Sequence, residues 1–134
     1  MRLILSIPLY FYLLIVANLV MFGGPPEAPA INIILKQFTL PSGAELTLTV
    51  SDLLIVCAVV FLYIETFKAT RTSVLSIIDH ALSLLVFVVF LIEFIVVERV
   101  GNTTFLIMTI ASLMDVVMGF TVTISTAKRD IAFG

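Results

Sequence analysis

Residues Val74–Val97 read VLSIIDHALSLLVFVVFLIEFIVV, a run long enough to cross a bilayer that nevertheless carries Asp79, His80 and Glu93. A span needs roughly 20 mostly apolar residues, and a charged group inside one is costly enough to require a partner or a function. Between Asp79 and Glu93, the residues Ser83, Val86 and Phe90 continue an alternating spacing of three and four, so all five share one helical face. That face is expected to look into a protein interior. The rest of the chain must supply its partners.

Composition sets the class. Of 134 residues 61% are hydrophobic and 12% charged, with a mean hydropathy of +1.26, far outside soluble composition. The chain reads as a single integral membrane domain over residues 1–134. The net charge of −2 and the scattered basic residues give no electrostatic footprint for nucleic acid, which is excluded as a partner. The single cysteine, Cys57, allows no internal disulfide and no thiolate metal site.

Working back from the central run, residues 3–22 form a first apolar stretch with Arg2 before it. It is longer than the roughly 7 to 15 residues of a signal-peptide core and is read as a retained span, with Pro8 one turn inside and a mild kink near Ile4–Pro8. Asn18 is its one strongly polar side chain. Gly23, Gly24, Pro25 and Pro26 break the helix, and in 31–50 the period changes: Glu45, Thr47 and Thr49 alternate with Leu46, Leu48 and Val50. This predicts an external β-hairpin, with Ile31–Leu40 as the partner strand and Pro41, Ser42 and Gly43 in the loop. An isolated hairpin is marginal in water, so it should lean on the helix ends, on lipid or on another subunit.

Ser51 is the expected cap of a second span, 53–69, with Asp52 at the positive end of its dipole. The short connection Thr70–Ser73 predicts that the second span and the third, 74–97, are antiparallel and adjacent, with Thr72 or Ser73 as cap. Gly101 is the expected terminator before a fourth span, 103–126, and the tail Lys128–Gly134 is too short to fold by itself. The fold class is thus an all-α membrane protein, a four-transmembrane-helix antiparallel bundle with a small hairpin between its first two spans. Placing Arg2, Lys68, Arg71, Lys128 and Arg129 inside leaves only Lys36 and Arg99 outside, so both termini are expected in the cytoplasm.

Depth follows from ~1.5 Å per helical residue. Glu65, Asp79 and His80 fall near the cytoplasmic interface, Asn18, Asp52 and Glu93 near the outer one, and Asp115 close to the midplane. Glu65 has Lys68 one turn away, which favours an ion pair there. Glu93, in an acid-rich outer layer, is either protonated or bonded to Asn18. Asp115 has no cation expected at its depth, so it is neutral, hydrogen-bonded, or in contact with a cavity or another chain. Ser112, Asp115, Gly119 and Thr123 form one stripe, and the small pair Gly119 and Thr123 would let two backbones approach closely. His80 is the sole histidine, so no bis-histidine haem site can form, and it reads as an interfacial hydrogen-bonding residue. With no nucleophile elbow, phosphate-binding loop, HExxH or CxxC, the residues point away from an enzyme, and no cofactor or metal is expected.

At Lys68–Thr72 (KATRT), Ile77–Ser83 (IIDHALS), Met114–Phe120 (MDVVMGF) and Lys128–Asp130 (KRD), the chain resembles a group of short bacterial inner-membrane proteins with four predicted spans. The resemblance covers mainly the second half. It implies a multi-pass inner-membrane location and brings no activity with it. Small multidrug exporters are also four-span chains of similar length, but they carry a glutamate in the first span, where this sequence has none. Two functional expectations follow. The first is an accessory or structural subunit of a larger membrane complex or homo-oligomer, with the bilayer and other subunits as partners. The alternative is an ion-coupled carrier or proton conduit using Asp115 and Glu93.

Overall fold

The computed structural model describes residues 7–71 and 73–134. The expected start of the first span at Leu3, its flanking Arg2 and the alternative cap Thr72 lie outside the described residues. The order of elements is helix α1 (Leu9–Met21), strands β1 (Ile34–Thr39) and β2 (Glu45–Thr49), then helices α2 (Val50–Lys68), α3 (Val74–Val96) and α4 (Thr103–Phe133). Short 3-10 turns at Ala30–Asn32 and Glu98–Val100 complete the path. Helices α2, α3 and α4 are long and apolar enough to cross a membrane. Helix α1 has 13 residues, about 20 Å at 1.5 Å each, against about 30 Å of bilayer hydrocarbon.

Pro8 does not kink α1 from within, as the sequence suggested. It precedes the helix in an extended conformation, φ −62° and ψ 139°. Its ring suits that conformation, and the helix starts behind it with Leu9. Helix α2 also begins earlier than expected. Its cap is Thr49 and not Ser51: the Asp52 amide donates to Thr49 Oγ1 at 3.3 Å, while the Thr49 amide donates to Asp52 Oδ2 at 2.8 Å. Ser51, freed from capping, makes a 2.5 Å hydroxyl contact with Thr104 of α4. Ser73 caps α3 through the Ser76 amide at 3.2 Å. Gly101 does not terminate α3 in a left-handed conformation. The helix closes on extended Val97, a 3-10 turn follows, and Asn102 caps α4 by accepting from the Phe105 amide at 3.0 Å. The tail is no separate segment, since α4 continues through Lys128 and Arg129 to Phe133.

The hairpin pairs Phe38 with Leu46 and Thr39 with Glu45, antiparallel, with an irregularity between Ile34 and Lys36. Its loop closes with the Gly43 amide on the Leu40 carbonyl at 2.8 Å, and Gly43 takes φ +83°, a conformation that favours glycine. β1 is exposed along its length, and β2 becomes half-buried only at Leu48 and Thr49.

The four helices run alternately up and down, but their neighbours differ from the expected order. α4 packs along both α2 and α3, and α1 touches α2 and α3, whereas among the described residues α2 and α3 are diagonal. Three contacts fix the directions. Leu9 meets Glu65, so α1 and α2 are antiparallel; Phe90 meets Phe105, so α3 and α4 are antiparallel; Ser51 meets Thr104, so α2 and α4 are parallel. A short connection therefore brings α2 and α3 together only at their joined ends.

The interior is graded along its axis. Toward the hairpin it is mostly apolar, built from Leu14, Ala17, Met21, Leu54, Phe90, Val100, Phe105 and Met108, with Thr104 and Thr109 buried among them. Away from the hairpin it buries Glu65, Ser76, Asp79, His80, Ser83, Ser112 and Asp115. The outside of the helices is the reverse, with Val59, Ile77, Leu85, Ile95 and Val96 all more than half exposed. An apolar exterior around a polar interior suits a hydrocarbon solvent.

Candidate functional site

The polar half of the bundle draws on all four helices. On α3, Ser76, Asp79, His80, Ser83, Val86 and Phe90 form the buried face, while Glu93 is half-buried at its far end. On α4, Ser112, Asp115 and Gly119 are buried and Thr123 is partly so. α2 contributes Glu65 and Lys68 from its last turn, and α1 its first amide and Tyr10.

Lys68 is the hub. Its Nζ lies 2.9 Å from Glu65 Oε2 and 3.4 Å from Asp79 Oδ1, and these are the ion pairs among the described residues. The Glu65 side chain lies beside the start of α1, where Oε1 accepts from the Leu9 amide at 2.6 Å. That amide belongs to the first turn of a helix and has no partner within it, so a carboxylate is the natural acceptor. Glu65 thereby ties α1 to α2, and Lys68 ties both to α3. Arg71, Lys128 and Arg129, expected near this layer, are exposed.

His80 sits in a second knot. Its Nε2 lies 2.6 Å from Thr123 Oγ1 and 3.4 Å from Ser76 Oγ, and the Thr123 hydroxyl is 3.2 Å from the Ala69 carbonyl oxygen. A threonine hydroxyl has one proton; if that proton goes to the carbonyl, its oxygen accepts from His80 Nε2–H. The imidazole lies against Gly119, where an added Cβ would stand 2.9 Å from Cε1 and Nδ1. Gly119 and Thr123 thus receive the His80 side chain. The missing Cβ makes room for the ring.

Asp115 is within reach of the charged groups of this cluster. The Ser83 hydroxyl is beside it, and Glu65, Asp79 and Lys68 are near enough for their charges to act on it. Yet among the described residues its buried Oδ2 has no hydrogen-bond partner, and neither has Ser112 Oγ one turn away. Tyr10, fully buried, is also close, but its hydroxyl donates to the Ala58 carbonyl at 2.6 Å. Sequence reading missed Tyr10; a phenol inside an apolar run needs a polar partner, which was the available signal.

The outer acids are handled separately. Glu93 Oε2 accepts from Asn18 Nδ2 at 2.8 Å, the bonded alternative of the two foreseen. Asp52 serves the Thr49 cap. Arg99 donates to the Gly24 carbonyl and lies over Phe22, and Lys36 lies over Phe38, so neither cation answers these acids. Glu93 is ten residues beyond Ser83 on α3, about 15 Å of helix, and Asp115 is beside Ser83. The structure does not bring Asp115 and Glu93 together. Comparison with protein-family models, curated proteins and solved structures gives no match for this chain.

Proposed function

We propose that this chain is a small polytopic membrane protein acting as an accessory or structural subunit of a larger membrane assembly or of a homo-oligomer. The observation that carries the reading is the uncovered hairpin. Phe38 and Leu46 are cross-strand partners 39% and 43% exposed, and Leu40 beside them is 42% exposed. A two-stranded hairpin with a bare apolar face is a poor unit by itself and a good contact surface. The polar interior fits the same reading, because most of its groups bind one another across helices. We further propose four spans in a bacterial inner membrane, with the hairpin outside and both termini cytoplasmic, as the cation distribution favours.

The test is assembly in native membranes. Phe38→Asp with Leu46→Asp should release the chain as a folded monomer in mild detergent, while the unaltered chain migrates in a larger complex. A monomer in both cases would overturn the reading. Cysteines placed at Ser42 and Thr70 should label from outside and from inside respectively, and the reverse would overturn the orientation. The alternative, an ion-coupled carrier or proton conduit using Asp115 and Glu93, would show Asp115-dependent flux in reconstituted vesicles, which a subunit need not show.

A further inference from the structure

We propose that Asp115 is a binding site for one positive charge, taken up from solution as a proton or as a bare monovalent cation. The charge inventory of the interior motivates it. Three carboxyl groups, Glu65, Asp79 and Asp115, are 4%, 6% and 6% exposed, and the one ammonium among them, Lys68, is bonded to the first two. Among the described residues, the other titratable groups that face the region are already engaged or distant. From α1, the Tyr10 hydroxyl gives its proton to Ala58; from α3, His80 Nε2 is held by Thr123 and Ser76. On α4 itself, Lys128, Arg129 and Asp130 are exposed and at least three turns away.

Among the described residues Asp115 therefore has no cation of its own, and its Oδ2 has no donor. A buried carboxylate in that state is strongly unfavourable, and burial of a charge is tolerated when the charge is paired and hydrogen-bonded. A second observation marks the same place: Ser112 Oγ, fully buried and one turn from Asp115 on the same face of α4, also has no partner among the described residues. With the Ser83 hydroxyl from α3 beside the carboxyl, the site holds oxygen atoms from two helices around one uncompensated acid. Oxygens of this kind accept a proton or ligate a hard monovalent ion. The inference is independent of the assembly reading, since a subunit can hold such a charge without moving it, and each test can fail alone.

The experiment is infrared difference spectroscopy on the purified full chain in detergent, between mildly acid and mildly alkaline buffer, each with sodium chloride or with choline chloride. A protonated carboxyl band should be present in acid without sodium, absent from Asp115→Asn and retained in Glu65→Gln. Loss of the band on raising pH, whatever the salt, identifies the proton. Its loss on adding sodium at constant pH identifies the cation. Asp115→Glu should move the band without removing it, so the assignment does not rest on the amide variant alone. Two results would overturn the proposal: no band assignable to Asp115 under any condition, or a band indifferent to both pH and sodium, which marks a permanently neutral contact.

Discussion

The two halves of the bundle interior solve one problem in opposite ways. Near the hairpin, Phe90 meets Phe105 with ring centroids 5.3 Å apart, and Met21, Leu54, Val100 and Met108 fill the space around them. At the other end, Glu65, Lys68 and Asp79 form a three-residue clamp and His80 is knotted to Thr123. In hydrocarbon the apolar half gains little from burial, because lipid tails are as apolar as the side chains they replace. Shape holds it together. The polar half gains direction from its bonds, but each member depends on the others being present.

That dependence sets the largest expected effect. Lys68→Met leaves Glu65 and Asp79 buried without their cation, and breaking a buried pair from one side costs roughly 3 to 5 kcal/mol. Because the Lys68 side chain retains 18% exposure, the low end applies. Thermal unfolding in detergent should show the loss, and Lys68→Met combined with Glu65→Gln and Asp79→Asn should recover most of it. A single variant as stable as the original chain would show that the clamp contributes nothing. In the apolar half, Phe105→Ala should cost about 2 kcal/mol, a cavity cost without the full transfer cost seen in soluble cores. If it proves worse than Lys68→Met, the contrast between the halves is reversed.

Gly119→Ala tests the His80 knot with a smaller change. The new Cβ would stand 2.9 Å from the imidazole, so the ring must give up its position against α4. Overpacking of this kind costs about 1 to 3 kcal/mol. The ring can yield by rotating away from Thr123, so the expected figure is about 1 kcal/mol. The histidine resonances should move in NMR spectra, and unchanged resonances would mean that the ring does not rest on Gly119.

Much of this was legible in the sequence where one period governs a whole element. The three-and-four spacing from Asp79 to Phe90 is a buried face because no other face of α3 repeats polar residues that way. The pairing of Glu65 with Lys68 follows from their spacing alone. What escaped depends on where elements meet. Thr49, Val50, Ser51 and Asp52 spell a capping box, but Thr49 also completes the strand alternation, and β2 runs into α2 with no loop to separate the two readings. The length of Thr70–Ser73 bounds the distance between helix ends and says nothing of whether the helices diverge, so the diagonal placement of α2 and α3 could not be read from it. That Glu65, Asp79 and Lys68 come near enough to act on Asp115 likewise depends on how the helices are shifted along their axes, which no single helix records.

The smallest expected effect separates the two kinds of buried acid most sharply. Asp115→Asn keeps size and polarity but cannot ionise, and it adds an amide donor where Oδ2 had no partner. If Asp115 takes its charge from solution, the stability of the original chain must depend on the availability of that charge. The amide variant has no such need. In conditions that supply the charge the two should agree within about 1 kcal/mol, the usual scale of one net hydrogen bond. When the charge is withheld, at alkaline pH or in sodium-free buffer, the original chain retains a buried uncompensated carboxylate and should melt at a lower temperature than Asp115→Asn. The sign follows from linkage: a charge bound by the folded state and not by the unfolded one stabilises in proportion to its supply. Glu65→Gln should behave in the contrary way, because Glu65 already has its cation in Lys68 and loses a charge-assisted bond from Leu9 when neutralised. Parallel melting curves for the two amide variants across pH and salt would mean that Asp115 and Glu65 are acids of one kind, and the distinction drawn between them would fail.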